Sequence, residues 1–302
     1  MNKGVLVLGL FLLLMGCAPA GAVTFDAIPA IDTGIDPENW ALVPAGTFLS
    51  GQHEHEAQID HPYEIMVTDV TNAQYAAYLN AALEAGWVRK IEDEIVGYYP
   101  GDEFRGFEHE EEIAAGDWLH VPLADPGLRI EETADGFQSR SGYENHPMVQ
   151  VTWFGAKAYC EFYGGRLPGE LEWEKAARGE DNRPYPWGWE LELNNANFYS
   201  STDIFEKTFG KAGNTTPVGF YNGVVYDGYA TLDSASPYGL YDMAGNVWQW
   251  MGDVYEDQHY RYMRGGSKAD YGYNLRIWTR NNAAPQYFSP SVGFRCVRDP
   301  LE

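Results

Sequence analysis

The sequence predicts a loop-rich α+β domain carried behind an export signal, and three observations lead there. Aromatic residues make up 15% of the 302 residues and Gly contributes 33, a mixture that favours packed loops and short strands over a helical bundle. Only three segments join a helix-start signal to a helical apolar stripe. Beyond Arg183 the chain breaks into short apolar runs separated by Gly, Asn and Pro, which read as loops and brief strands.

The N-terminal element is an export signal. Lys3 gives the positive start, and Gly4 to Gly16 is uncharged and mostly apolar. That run is too short to cross a bilayer as a helix but suits a signal peptide over residues 1–16. It ends in Leu14-Met15-Gly16-Cys17, which resembles a bacterial lipobox, with Cys17 acylated to become the mature N-terminus. An ordinary cleaved signal with a chance cysteine is the alternative. No later stretch is long or apolar enough to span a membrane, so the lipid would be the only anchor. The expected location is the bacterial cell envelope, outside the cytoplasm. Ala18, in place of Asp, after the lipidated residue points to the outer membrane in a Gram-negative host. Residues 17–40 are small and polar with Pro and read as a tether, so the folded domain is expected over 41–299.

The net charge of −24 makes nucleic acid and anionic lipid surfaces poor partners. Calcium or a cationic partner suits it better, or the acidity serves solubility alone.

Within the domain, the first helix is announced by Thr71 as N-cap with Gln74 three residues on. Tyr75, Tyr78, Leu79, Ala82 and Leu83 form its apolar face, and Gly86 stops it. Residues 87–143 hold Glu108, Glu110, Glu111, Glu112, Glu131 and Glu132 among scattered aromatics with little clear period. They read as an acidic insertion packed over one face. Thr152 caps the second helix, which carries Phe154, Ala158 and Cys160 through Tyr163 and ends at Gly164-Gly165. Gly169 opens the third with Glu172 at N3, and Leu171, Trp173 and Ala177 supply apolar surface before Gly179. Trp248, Trp250 and Trp278 are expected in the core.

After lipidation only Cys160 and Cys296 remain. Two cysteines in an oxidising compartment usually pair. A metal site built on two lone thiols without a nearby His is the weaker alternative.

Seven blocks, in order, resemble one family. They are Val43-Pro44-Ala45-Gly46-Thr47-Phe48; Asp69 through Tyr75; His146-Pro147-Met148-Val149-Gln150-Val151-Thr152-Trp153 running into Ala158-Tyr159-Cys160; and Arg166-Leu167-Pro168 with Glu172-Trp173-Glu174, Ala176-Ala177-Arg178-Gly179 and Tyr185-Pro186-Trp187-Gly188. Ser236 through Trp250, Arg264-Gly265-Gly266-Ser267 and Val292-Gly293-Phe294-Arg295-Cys296 complete the set. Together they resemble the formylglycine-generating enzyme, or sulfatase-modifying factor, family. The resemblance implies a C-type-lectin-like fold and a disulfide between Cys160 and Cys296.

Enzymes of that family use two thiolates to hold Cu(I) and activate dioxygen, because soft sulfur suits that ion. The thiols belong a few residues after the Gly-Gly-Ser turn, where this chain has Asp270 and Leu275. No copper and no formylglycine-generating activity are therefore expected. The family's calcium sites imply one Ca²⁺ at the side chains of Asp242 and Gln249 and the carbonyls of Gly245 and Val247. Asn and Glu are commoner in the family where this chain has Asp242 and Gln249, and the alternative is a loop closed by hydrogen bonds. A second site would use Asn197 and the Phe198 carbonyl, with only Asp203 nearby as an acid. His53, His55 and His61 show no carboxylate geometry that would make them a metal cluster, and no nucleophile elbow, P-loop or HExxH is present. Asp270, Tyr271 and Tyr273 could line the cleft as a binding surface.

The expected function is a catalytically silent envelope module that recognises a protein, peptide or glycan. An enzyme of the superfamily with other oxidative chemistry, and a scaffold subunit of an envelope assembly contacted through the acidic insertion, are the alternatives.

Overall fold

The computed structural model describes residues 28–209 and 213–300, without the side chains of residues 207–209. The signal, Cys17 and most of the expected tether lie outside the described residues. The remainder of the tether does not hang free. Thr33 donates its hydroxyl to the Val218 carbonyl, and its own carbonyl accepts from Asn222 Nδ2. Ile28 and Ile31 pack against the cluster of Phe205, Phe220 and Tyr221. Residues expected as tether thus pack on the domain through these isoleucines.

The domain is mixed and loop-rich, with 15% helix and 28% strand. Strands β1 (Trp40–Val43), β2 (Gly46–Ser50), β3 (His55–Ile59) and β4 (Tyr63–Met66) open it. Helix α1 (Asn72–Glu84) follows with the expected reciprocal cap between Thr71 and Gln74. Tyr75, Tyr78, Leu79 and Ala82 are fully buried on one face.

The acidic insertion contains more regular structure than its sequence period suggests. Strands β5 (Val88–Ile91), β6 (Glu94–Tyr99) and β7 (Gly116–Pro122) form an antiparallel meander, and β8 (Ile130–Thr133) pairs with β9 (Gly136–Ser139). Ile95, Val121, Leu128 and Ile130 enter the same core cluster as Tyr75 and Tyr78. The meander was hard to read because its first turn is Glu92-Asp93, with Glu92 at φ 50°, where the usual Asn-Gly signal is missing.

Helix α2 (Trp153–Phe162) is capped by Thr152, and α3 (Glu170–Arg178) by the Glu172 carboxylate accepting the Gly169 N–H at 2.8 Å. Trp173 and Ala177 are buried, but Leu171 is 40% exposed and does not serve the core. A short helix α4 (Ile204–Phe209) and the pair β10 (Val225–Tyr226) and β11 (Tyr229–Ala230) lead to the last sheet. There β12 (Trp248–Tyr255), β13 (Tyr260–Arg264), β14 (Arg280–Ala283) and β15 (Val292–Gly293) lie in the order β14-β13-β12-β15. Strand β16 (Val297–Arg298) returns to β4, so the two ends of the domain share the sheet β1-β4-β16. Trp248 and Trp250 are buried as expected, whereas Trp278 is only half-buried beside Arg178 and Arg276.

Cys160 and Cys296 are disulfide-bonded, with Cα atoms 5.6 Å apart and a sequence separation of 136. The bond joins α2 to the segment entering β16, next to Tyr159, which stacks on Tyr75 at 5.6 Å.

Candidate functional site

Strands β12 and β14 and the loops that flank them surround a cavity of about 470 Å³. Trp248 and Met263 form apolar wall, and Ser267, Asp270, Asn281, Asn282, Tyr287, Ser289 and Ser291 supply polar groups. The turn before Asp270 needs glycine, since a Cβ on Gly266 would meet the Asn274 carbonyl at 2.9 Å and φ there is 73°.

Asp270 lies on this cavity, as the sequence suggested, but its carboxylate is already engaged. One oxygen accepts from the Ser267 N–H at 3.0 Å and from the Ser267 hydroxyl at 2.5 Å; the other accepts from Asn274 Nδ2 at 2.9 Å. Leu275 is not on the cavity. It is fully buried with Tyr185, Phe198 and Ala244. Neither position can present a thiolate, and the copper-binding arrangement implied by the resemblance does not fit these residues. Tyr271 and Tyr273, expected on the cleft with Asp270, do not line this cavity and are 68% and 63% exposed. Beside the cavity, Lys268 is 8% exposed and holds Nζ 3.4 Å from the Ser291 hydroxyl, with burial lowering its pKa. The chemistry on offer is hydrogen bonding along an aromatic wall.

The loop expected to hold calcium is closed differently. Asp242, at φ 57°, accepts the Gly219 N–H on its carboxylate at 2.7 Å. Burial raises its pKa to about 6. Gln249 turns its side-chain oxygen away from the loop, to Trp173 Nε1 at 2.7 Å and Arg295 Nε at 2.8 Å. Its amide nitrogen donates to the Asp242 carbonyl at 2.7 Å. Gly245 lies so close to Asn197 that a Cβ would stand 2.5 Å from the Asn197 carbonyl. Of the residues expected to hold Ca²⁺, Asp242, Gly245, Val247 and Gln249, the last faces the loop with its N–H donor.

At the second expected site, Asn197 Nδ2 donates to the Asn214 carbonyl, and the Phe198 carbonyl accepts from the Ser201 N–H. Asp203 spends one oxygen on the N–H groups of Phe205 and Glu206 and the other on Ser201 and Tyr221 hydroxyls. It caps α4 and has no oxygen left for a cation. His53, His55 and His61 are all exposed, and no group of three His, Cys, Asp or Glu side chains placed to hold a metal ion occurs among the described residues.

Two clusters went unread in the sequence. Arg295 is fully buried and uses all five donors: Gln249, the carbonyls of Met66, Val67 and Tyr241, and Asp69. Only its place beside Phe294 and Cys296 in a matched block could have marked it. In the second, the two ring nitrogens of His259 face Asp102 at 2.9 Å and Glu110 at 2.7 Å, while Arg261 reaches the same Asp102 oxygen at 2.7 Å. This cluster pins the insertion to the β12–β13 hairpin. Nothing in the sequence pairs residues 102 and 259.

A family model described as the sulfatase-modifying factor enzyme 1-like domain matches residues 29–300. The chain is 32% identical over 291 residues to the inactive C-alpha-formylglycine-generating enzyme 2 of Bos taurus, covering 86% of this chain and 87% of that protein. It is 30% identical over 293 residues to the formylglycine-generating enzyme of Mus musculus, covering 86% and 74%. A Chlamydia caviae protein named serine/threonine-protein kinase pkn1 matches at 30% over 85% of this chain, which spans only 37% of that relative. Among solved structures, PvdO from Pseudomonas aeruginosa has the same fold at a TM-score of 0.55 and 23% identity, over 86% of this chain and 94% of that one.

Proposed function

The chain belongs to the sulfatase-modifying factor enzyme 1-like family, and from that premise we propose that it is a non-catalytic recognition module, held on a bacterial envelope by lipid at Cys17, which binds an extended peptide in the cleft. The single observation that carries this reading is the fate of the two copper positions: Asp270 is locked into its own turn and Leu275 is sealed in the core. One relative bears the name inactive, which is in keeping with it.

A peptide is favoured by the backbone as well as the side chains. Strand β14 stands at the outer edge of its sheet and has one side unpaired among the described residues. Arg280, Asn281 and Asn282 are exposed there, and the two asparagines line the cavity. An extended chain added beside β14 gains main-chain hydrogen bonds, with Tyr287 and Trp248 contacting its side chains.

A peptide array and a glycan array probed with the same purified protein test the proposal. Peptide binding that falls at least tenfold in Tyr287→Ala supports it. Glycan binding alone, or peptide binding indifferent to Tyr287 and Asn282, contradicts it.

A further inference from the structure

We infer that the Asp242–Gln249 loop is closed by the Gln249 amide in place of a cation, and that a carboxylate at 249 would let this loop take calcium. The inference is independent of the ligand proposed for the cleft. Gln249 is fully buried. A side-chain amide oxygen has two lone-pair directions, and here both are used, by Trp173 Nε1 and Arg295 Nε. These donors have no alternative. The indole carries one N–H, and the four other donors of Arg295 are spent on Met66, Val67, Tyr241 and Asp69.

Rotating the amide would set its NH₂ against two buried donors and leave all of them unpaired, which is unfavourable in a dry interior. The orientation is therefore fixed, and the group turned toward the loop is Nε2. It donates to the Asp242 carbonyl and cannot ligate a cation.

The charge in the region is consistent with this closure. Arg295 is ion-paired with Asp69 at 3.3 Å, and its charge also acts on Asp242. A carboxylate at 249 would change the site in one step. One oxygen would still serve Trp173 and Arg295, and the other would face the loop opposite Asp242, giving the charged oxygen donors that Ca²⁺ takes.

The test measures thermal midpoints and bound calcium by equilibrium dialysis on the full chain, in excess EDTA and across a calcium titration. Wild type is expected to hold no stoichiometric calcium and to melt identically in both. Gln249→Glu is expected to melt lower in EDTA, to rise with the logarithm of free calcium as linkage requires, and to lose that response when Asp242→Asn is added. One calcium per wild-type chain that Asp242→Asn releases would overturn the inference. So would a Gln249→Glu protein as indifferent to calcium as wild type. Should Gln249→Glu not fold, the wild-type dialysis still tests the closure by Gln249: one bound calcium overturns it and none supports it.

Discussion

Asp242 carries a buried carboxyl whose pKa rises from 3.8 to about 6 because burial penalises its charge, against smaller lowering effects of Gly219, Arg295 and Asn246. A carboxyl raised in the folded state binds its proton more tightly there than in the unfolded chain, so its contribution favours folding below about pH 4 and is lost as pH rises through 6. At two units the loss is at most about 3 kcal/mol. Asp69, also raised by burial, acts with the same sign. Asp242→Asn keeps an oxygen for the Gly219 N–H and tolerates the positive φ. It should therefore flatten the fall in denaturant midpoint between pH 4 and 6 and leave the protein at least as stable as wild type at pH 7. A variant less stable at pH 7 would show that the charge itself is needed.

At the scale of elements, the insertion is tied down by side chains far apart in sequence. Glu110 accepts the backbone N–H groups of Arg105 and Phe107 and faces His259. Burial works against its charge, but these bonds outweigh that and lower its pKa to about 2. Its share in holding the loop is therefore present above the ordinary carboxylate range and lost only as pH falls toward 2. Glu110→Gln or His259→Ala should free the segment around Arg105, read as faster tryptic cleavage there with the rest of the domain intact. Unchanged cleavage would mean that Tyr99, Asp102 and Arg261 hold the loop unaided. The helices were legible because Thr71, Thr152 and Glu172 act within three residues of the amides they cap. The meander was not, since Glu92 takes a turn conformation usually left to Gly or Asn. At the site, block matching marked Asp270, Asp242 and Gln249 by position. Whether Gln249 shows an oxygen or an N–H to the loop depends on Trp173 and Arg295, which no local pattern joins to it.

For the whole molecule, the disulfide closes a loop of 136 residues between α2 and the last strand. By the chain-entropy model this contributes on the order of 5 kcal/mol, and measured values often fall short of it. Cys160→Ser with Cys296→Ser should lower unfolding free energy by about 2–5 kcal/mol in a denaturant titration. Loss below 1 kcal/mol would show that the shared sheet β1-β4-β16 closes the domain by itself. The envelope location is tested separately: wild type should partition with membranes and Cys17→Ser should not. The central claim is that this family member binds without oxidising. Its most direct measurement is mass spectrometry of a sulfatase-type peptide carrying its target cysteine, incubated with the purified protein, Cu(I), oxygen and a reductant. The cysteine is expected to stay intact over many hours, because neither Asp270 nor Leu275 can supply a thiolate. Conversion of that cysteine to formylglycine in proportion to added protein would contradict it.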